Sequence, residues 1–325
     1  MSAAPGRPVG IVSVAVIPGP TLVGPEGFIL DAGLRARAVK DLRIRTKCTF
    51  LPGTDVERYE EQAARSALAT AGIDPAKIDL VIHSSATPPS KSMYSKSAGL
   101  MKSIGARGAY GFDVMAGCNG ATWAIANAKS LLLTNDEWTT ALVLVSDHLS
   151  PFVDYADETH LPMFALADAV SAVVLRKGEA RRVIVSEAFK TDPAYGDSMY
   201  LSRGAGTLTM VTSDEIEDGI KRTYKKNYEE VIRTALGRAG VKLDAVAGVF
   251  MNQGDWRLID HLSANLGIAG AAFQRTHENF GHIGGSDVLL GLMKAQESGR
   301  IQENDYLVMA SSAVGFSWGA LVLKA

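Results

Sequence analysis

The sequence predicts an α/β protein made of two halves of the same topology packed as one unit. Two observations carry this. Short, strongly apolar β-rich runs alternate with helix-length segments along all 325 residues. The order strand, helix, strand, helix also begins again after the charged stretch Lys177-Gly178-Glu179-Ala180-Arg181-Arg182. Strands this apolar need cover on both faces, so helices should sandwich the sheets. A single doubly wound domain is the alternative, but no Gly-rich dinucleotide fingerprint follows the first strand. We expect halves spanning residues 1–176 and 177–325.

The bulk numbers remove several function classes. Charge is balanced, with 33 Lys+Arg against 35 Asp+Glu, so no polyanion surface and no nucleic-acid partner is implied. Cys48 and Cys118 have no paired spacing, which argues against a disulfide framework and against a cysteine metal site. The six histidines show no ligand spacing either. No apolar run is long enough to span a membrane, and no apolar signal core follows Arg7, so a cytoplasmic chain is expected.

Taken in order, residues 9–17 form a β-rich run that Pro18-Gly19-Pro20 ends. Residues 21–54 look mixed and turn-rich, with the basic positions Arg35, Arg37, Lys40, Arg43, Arg45 and Lys47. Asp55 is placed to cap a helix over 56–72, which Gly72 should stop. A strand is expected over 80–86 and a helix over 92–104. After Cys118, Ile125, Ala128 and Leu132 recur at helical spacing. Strands over 140–146 and 169–175 flank a polar stretch, 147–162, expected to be a substrate-side loop. The second half should hold strands at 183–185, 246–251, 306–311 and 319–323, with helices over 214–239, 256–266 and 286–298. The region 195–212 should help shape the pocket.

The chemistry begins at Asp113-Val114-Met115-Ala116-Gly117-Cys118-Asn119-Gly120. A thiol on a small-residue turn at a helix N-terminus faces unpaired N–H groups and the positive end of the helix dipole. Both favour thiolate, the form that attacks acyl groups. The alternative is a buried inert cysteine, the reading preferred for Cys48.

Three later segments add to this: Phe250-Met251-Asn252-Gln253, Phe280-Gly281-His282-Ile283-Gly284-Gly285, and Gly315-Phe316-Ser317-Trp318-Gly319-Ala320. With Arg45-Thr46, Thr87-Pro88 and Cys118 in matching order, the chain resembles the β-ketoacyl-carrier-protein synthase III family over essentially its whole length. That resemblance implies the thiolase fold, five layers αβαβα, and a homodimer.

Departures from the family's pattern sharpen the expectation. Condensing members use Cys, His and Asn; here Asn252 stands at the His position and His282 at the Asn position. Asp287, five residues after His282, should fall in the first turn of a helix and orient its imidazole. This placement resembles a branch of the family in antibiotic pathways that transfers acyl groups to oxygen, nitrogen or sulfur. Cys118 would take an acyl group from a carrier-protein or coenzyme A thioester, and His282 would activate the acceptor. Asn252 would donate a hydrogen bond near the thioester, and the backbone N–H groups of Cys118 and Val314 would hold the oxyanion.

No bound cofactor is expected; the phosphopantetheine thioester is substrate. Coenzyme A-using relatives clamp adenine between a Trp and an Arg, and those positions read Asp41 and Pro151 here, favouring a carrier protein as donor. Arg257 matches a docking Arg of the family, with Lys221, Arg222 and Lys225 clustered on the preceding helix. Two other readings stay open: a decarboxylating condensing enzyme, and a non-catalytic partner that binds acyl-carrier protein.

Overall fold

The computed structural model describes residues 7–88, 91, 93–203, 208–212 and 219–325. In the first half these form β1 (Val9–Pro18), β2 (Thr21–Val23), α1 (Ala32–Leu42), β3 (Lys47–Thr49), α2 (Val56–Ala71), β4 (Leu80–Ser84), α3 (Lys96–Ile104), β5 (Tyr110–Val114), α4 (Gly120–Thr134), β6 (Thr140–His148) and β7 (Asp168–Lys177). The second half holds β8 (Val183–Thr191), β9 (Met199–Arg203), β10 (Leu208–Thr212), α5 (Gly219–Ala239), β11 (Val246–Met251), α6 (Trp256–Leu266), α7 (His277–Phe280), α8 (Ser286–Glu297), β12 (Tyr306–Ala313) and β13 (Ser317–Lys324).

Strand pairing displays the duplication. In one half, β4 and β6 run parallel while β6–β7 and β7–β1 are antiparallel. In the other, β11–β12 is parallel and β12–β13 and β13–β8 are antiparallel. The two sets join edge to edge through β1 and β8 around Gly10 and Val183, giving the order β11-β12-β13-β8-β1-β7-β6-β4-β5. The outer edges differ: β5 pairs with β4 over five residues, whereas β11 has there the isolated parallel bridge Val249–Phe273.

Burial sorts the helices into layers. Residues of α2 and α3 pack on one outer face, those of α5 and α6 on the other. Between the sheets lie α4 and α8, in a cluster with Ile82, Val143, Phe250, Met309 and Leu321. A helix covered on all sides must be apolar or small all round. Ala121, Ala124, Ile125, Ala126 and Ala128 meet that in α4, and Val288, Leu289, Leu290 and Leu292 in α8. Outer helix α6 instead buries one stripe, Leu258, Ile259, Leu262 and Leu266. This is the five-layered αβαβα arrangement.

Several local expectations need correction. The stretch 21–54 contains helix α1, capped by Asp31 accepting from Leu34 N–H at 2.6 Å. It buries only Leu34 and Ala38, so its basic surface hid the periodicity. Asp55 sits at the N-cap of α2 without a capping hydrogen bond, although Gly72 ends that helix at φ 64° as expected. Helix α3 starts at Lys96 because Asp113 accepts the Lys96 and Ser97 N–H groups at 2.8 and 2.7 Å. Strand β8 runs to Thr191, since its inward positions Ile184, Ser186 and Ala188 include a serine that interrupts the apolar signal. Asp147 and His148 belong to β6, so the loop begins later than expected. Among the described residues no helix is long and apolar enough to cross a membrane.

The central layer depends on close packing, and Ile125 is fully buried in it. Ile125→Ala should cost about 2–5 kcal/mol, read as a lower urea midpoint with an unchanged slope.

Candidate active site

The Cys118 turn is placed by its neighbours. Gly117 has φ 53°, and a Cβ there would lie 2.8 Å from that of Ala313, so the turn presses against the end of β12. Cys118 occupies a 3-10 turn, and α4 starts two residues later at Gly120. The thiol therefore lies on the lead-in to the helix rather than in its first turn. Polar groups pin that lead-in to the second half: Asn119 Oδ1 accepts from Ser311 Oγ at 2.7 Å, and Thr122 Oγ1 meets Ser311 Oγ at 2.6 Å. Cys118 is partly exposed and packs beside Leu149, Phe164 and Leu166.

His282 reaches the thiol from the opposite half. Its N–H donates to Ala165 O at 2.7 Å and its carbonyl accepts from Ala167 N at 2.9 Å, a one-residue parallel bridge. Gly254 backs the ring, with room for no more than van der Waals contact. Nδ1 is hydrogen-bonded to Asp287 Oδ2, which leaves Nε2 to face Cys118, whose charge bears on the ring. Burial alone would lower the imidazole pKa. The charges of Asp287 and of a Cys118 thiolate, with hydrogen bonds to both, raise it well above 6.5.

Asp287 is 1% exposed in the first turn of α8. Besides His282, its oxygens accept from Gln253 N at 2.8 Å and Ile283 N at 3.1 Å. Buried charges need such partners. Gln253 is held in turn: Nε2 donates to Met251 O at 2.9 Å, and Oε1 accepts from Thr276 N at 2.9 Å.

Asn252, at the end of β11, is oriented without ambiguity. Its Oδ1 accepts from Ser312 N at 2.7 Å and Tyr228 OH at 2.8 Å. A backbone N–H can only donate, so that atom must be the oxygen. The amide Nδ2 is buried with no partner among the described residues. It is the group available to a substrate.

Further residues at this site carry signals that sequence reasoning did not use. Tyr224 and Tyr228 stand one turn apart on α5, and both hydroxyls meet Ser312 Oγ. Burial pushes Tyr224 up to about 12, and the charge of Cys118 adds to the shift. Their four-residue spacing marks an inward face on a helix otherwise rich in lysine. Gln253 lay inside a recognised motif without a role. Asp147, at the end of β6, accepts from Ala86 N and Gly285 N, both at 2.7 Å, and burial pushes its carboxyl up to about 6. A Cβ on Gly284 would strike this carboxylate, which explains a glycine at φ 65° there.

Other expected residues fall as follows. Val314 is 42% exposed in the turn between β12 and β13, beside the Cys118 turn. Arg257 is exposed at the start of α6 and donates to Asp41 O at 2.9 Å. Arg222 is exposed and Lys225 half-buried on α5; the side chain of Lys221 lies outside the described residues. Cys48 is fully buried, donates to Phe280 O and Asp168 O, and burial pushes its thiol up to about 12. His160 is buried, and its Nδ1 accepts from Asp154 N at 3.1 Å. Among the described residues no group of His, Cys, Asp and Glu is arranged to hold a metal.

A raised pKa means the native state binds the His282 proton more tightly than the unfolded chain does. The resulting stabilisation is complete below pH 6.5 and is lost as pH rises through the raised value. Asp287→Asn should thus bring the His282 pKa down, measured by imidazole NMR. Its stability deficit against the wild type should be widest just below pH 6.5 and narrow in alkali.

Comparison with known proteins agrees with this architecture. A family model described as 3-oxoacyl-[acyl-carrier-protein] synthase III C terminal matches residues 236–325, and its companion, 3-oxoacyl-[acyl-carrier-protein] synthase III, matches 112–193. The β-ketoacyl-[acyl-carrier-protein] synthase III of Rhodospirillum rubrum is 30% identical over 269 residues, 81% of this chain and 82% of that one. That of Gloeobacter violaceus is 27% identical over 292 residues, 86% and 87% of the two chains. Two solved structures share the fold. The priming β-ketosynthase of the R1128 polyketide pathway has a TM-score of 0.87 at 22% identity, covering 100% of this chain and 98% of that one. The 3-oxoacyl-[acyl-carrier-protein] synthase III of Aquifex aeolicus has a TM-score of 0.85 at 22% identity, covering 98% and 100%. The thiolase-like fold and the shared sequence over four-fifths of its length lead to one assignment: the chain belongs to the 3-oxoacyl-[acyl-carrier-protein] synthase III family.

Proposed function

We propose that this family member is an acyltransferase that loads an acyl group onto Cys118 and passes it to an acceptor hydroxyl, amine or thiol, without decarboxylative condensation. One observation supports the reading: the imidazole that feels the Cys118 charge is that of His282, tied through Nδ1 to a buried carboxylate. Position 252 supplies only an amide donor. That is a nucleophile, a base and an orienting group in the order acyl transfer needs.

The steps follow from the charges. Sγ of Cys118 attacks the thioester carbonyl, the bond to the donor sulfur breaks, and the His282 imidazolium gives its proton to the leaving thiolate. The neutral imidazole then takes the acceptor's proton as the acceptor attacks acyl-Cys118. Cleavage of the acyl–sulfur bond restores the thiolate beside the imidazolium. Backbone N–H groups of Cys118 and Val314 would stabilise each tetrahedral oxyanion, with Asn252 Nδ2 donating nearby.

A carrier protein is the favoured donor, in a secondary-metabolic pathway. The indole near the entrance, Trp256, is already covered by the Arg43 guanidinium, 3.4 Å from the ring, and its Nε1 donates to Asp41 O. One indole face is thus already taken by a guanidinium, in place of the adenine that coenzyme A-using relatives clamp. Arg257, Lys221, Arg222 and Lys225 supply cations for an acidic carrier surface. A second copy of the chain would cover the edge strand β5, where Tyr110 is 60%, Met115 67% and Trp123 on α4 41% exposed.

The names of the curated relatives favour a second reading, decarboxylative condensation through Asn252 and His282. Incubation with acylated carrier proteins and intact-protein mass spectrometry separates the two. Acyl transfer predicts acyl-Cys118 in the wild type and no longer β-keto product when a malonyl carrier is added; appearance of that product would support condensation instead. No acyl adduct with any donor would leave a non-catalytic carrier-binding role. His282→Ala should keep the acyl-Cys but lower turnover by about 10²–10⁴-fold. Met115→Glu should convert a dimer to a monomer in light scattering, a result unrelated to the chemistry.

A further inference from the structure

Lys47 is a buried amine that ordinary solvation does not explain, and burial pulls its pKa down to about 7. It is 1% exposed on β3, and no carboxylate lies within ion-pair distance among the described residues. Its Nζ is hydrogen-bonded to Tyr155 OH and donates to Phe164 O at 3.3 Å and Leu166 O at 3.1 Å. The rings of Phe28 and Tyr155 lie 4.1 and 4.2 Å from it, centroid to nitrogen. A buried ammonium is costly unless its hydrogen bonds are made, and here they are.

What those bonds hold is informative. The two acceptor carbonyls flank Ala165, whose own carbonyl takes the His282 N–H, while Ala167 N–H donates to His282 O. The segment from Phe164 to Ala167 is thus gripped by Lys47 at two carbonyls and bridged to the His282 backbone at alternate groups. A Cβ on Gly281, the residue before His282, would come within 2.9 Å of Lys47 Cβ, so β3 lies against the turn that delivers the imidazole. Tyr155 extends the hold by donating to Ser150 O at 3.0 Å. Phe164 and Leu166 of this segment belong, with Leu149 and Val153, to the apolar cluster against which Cys118 packs.

We propose that Lys47 is a positioning residue for His282: it locks β3, the Tyr155 loop and the segment from Phe164 to Leu166 into one unit, so that the imidazole meets Cys118. Its hydrogen bonds run to Tyr155, Phe164 and Leu166, and none runs to Cys118. The inference deepens the acyl-transfer reading and rests on it for the kinetic half of its test, but not for the other half.

The first readout needs no acyl donor. Cys48 is buried and inert, so iodoacetamide reports on Cys118, and an adjacent imidazolium favours the thiolate. His282→Ala should move the pH profile of alkylation to higher pH. Lys47→Met should move it the same way, Tyr155→Phe less so, and Lys47→Arg should restore much of the wild-type profile. The second readout is the lifetime of acyl-Cys118 in water. Here the water oxygen bonds to the acyl carbon, the acyl–sulfur bond breaks, and the released proton passes to His282. At a pH above the shifted alkylation profile, where Cys118 is fully thiolate, Lys47→Met should leave acylation nearly unchanged while slowing this hydrolysis by about 10–100-fold.

A folded Lys47→Met protein with the wild-type alkylation profile would overturn the proposal. Equal losses in acylation and hydrolysis would overturn it too, since a merely structural residue gives that result. If Lys47→Met does not fold, Tyr155→Phe and Lys47→Arg decide: a wild-type profile in the first, or a His282→Ala-like profile in the second, counts against it. Failure of the wild type to form any acyl-Cys would sink the transfer reading alone, because the alkylation profile still tests Lys47.

Discussion

The carboxylate of Asp287 is the constraint on which the site depends. One buried charge collects the Gln253 and Ile283 N–H groups and the His282 ring, so the end of β11, the turn before α8 and the imidazole share one anchor. In a low-dielectric interior such an ion is tolerable only with its hydrogen bonds made. The local geometry therefore has little freedom: moving any one donor would strand the charge. The same anchor leaves one ring nitrogen of His282 facing the thiol.

Around this point the duplicated architecture acts as a jig. Helices α4 and α8 occupy the same layer and bring their N-terminal ends to one place, Cys118 leading into the first and Asp287 starting the second. Helix N-termini favour negative charge, which suits a thiolate and a carboxylate alike. Two other buried carboxylates near the site serve as struts. Asp147 joins β6 to the turn before α8, and Asp168 accepts the N–H groups of Phe50, Leu149 and Ser150 at the base of the pocket wall.

Much of the fold was legible in the sequence because its strands are continuous apolar runs and its central helices are apolar or small all round. The bounds of β11 and α6 match the expected ranges, since Asp244, Gly254, Asp255 and Gly267 punctuate those segments. Helix α1 was not legible: a helix that buries two positions and shows arginines elsewhere has the pattern of a charged loop. The end of β8 was missed for a related reason, a serine at an inward position. At the site, Cys118, His282, Asp287 and Asn252 stood out because residue type and spacing expose them. Tyr228, Ser312, Gln253 and Asp147 did not, because each acts by a contact between segments far apart in the chain.

By itself the sequence determined the layered α/β architecture and the residue types present at the reacting point. These follow from periodicity, turn chemistry and motif order, all of which are local. Only the tertiary structure decided which way those groups face. It orients the Asn252 amide through Ser312 and Tyr228, aims the His282 ring through Asp287, and buries Lys47 within the wall beside them. Apart from the His282–Asp287 pair, five residues apart, these contacts join residues that the chain brings together across 24 to 119 positions, and no local pattern encodes them.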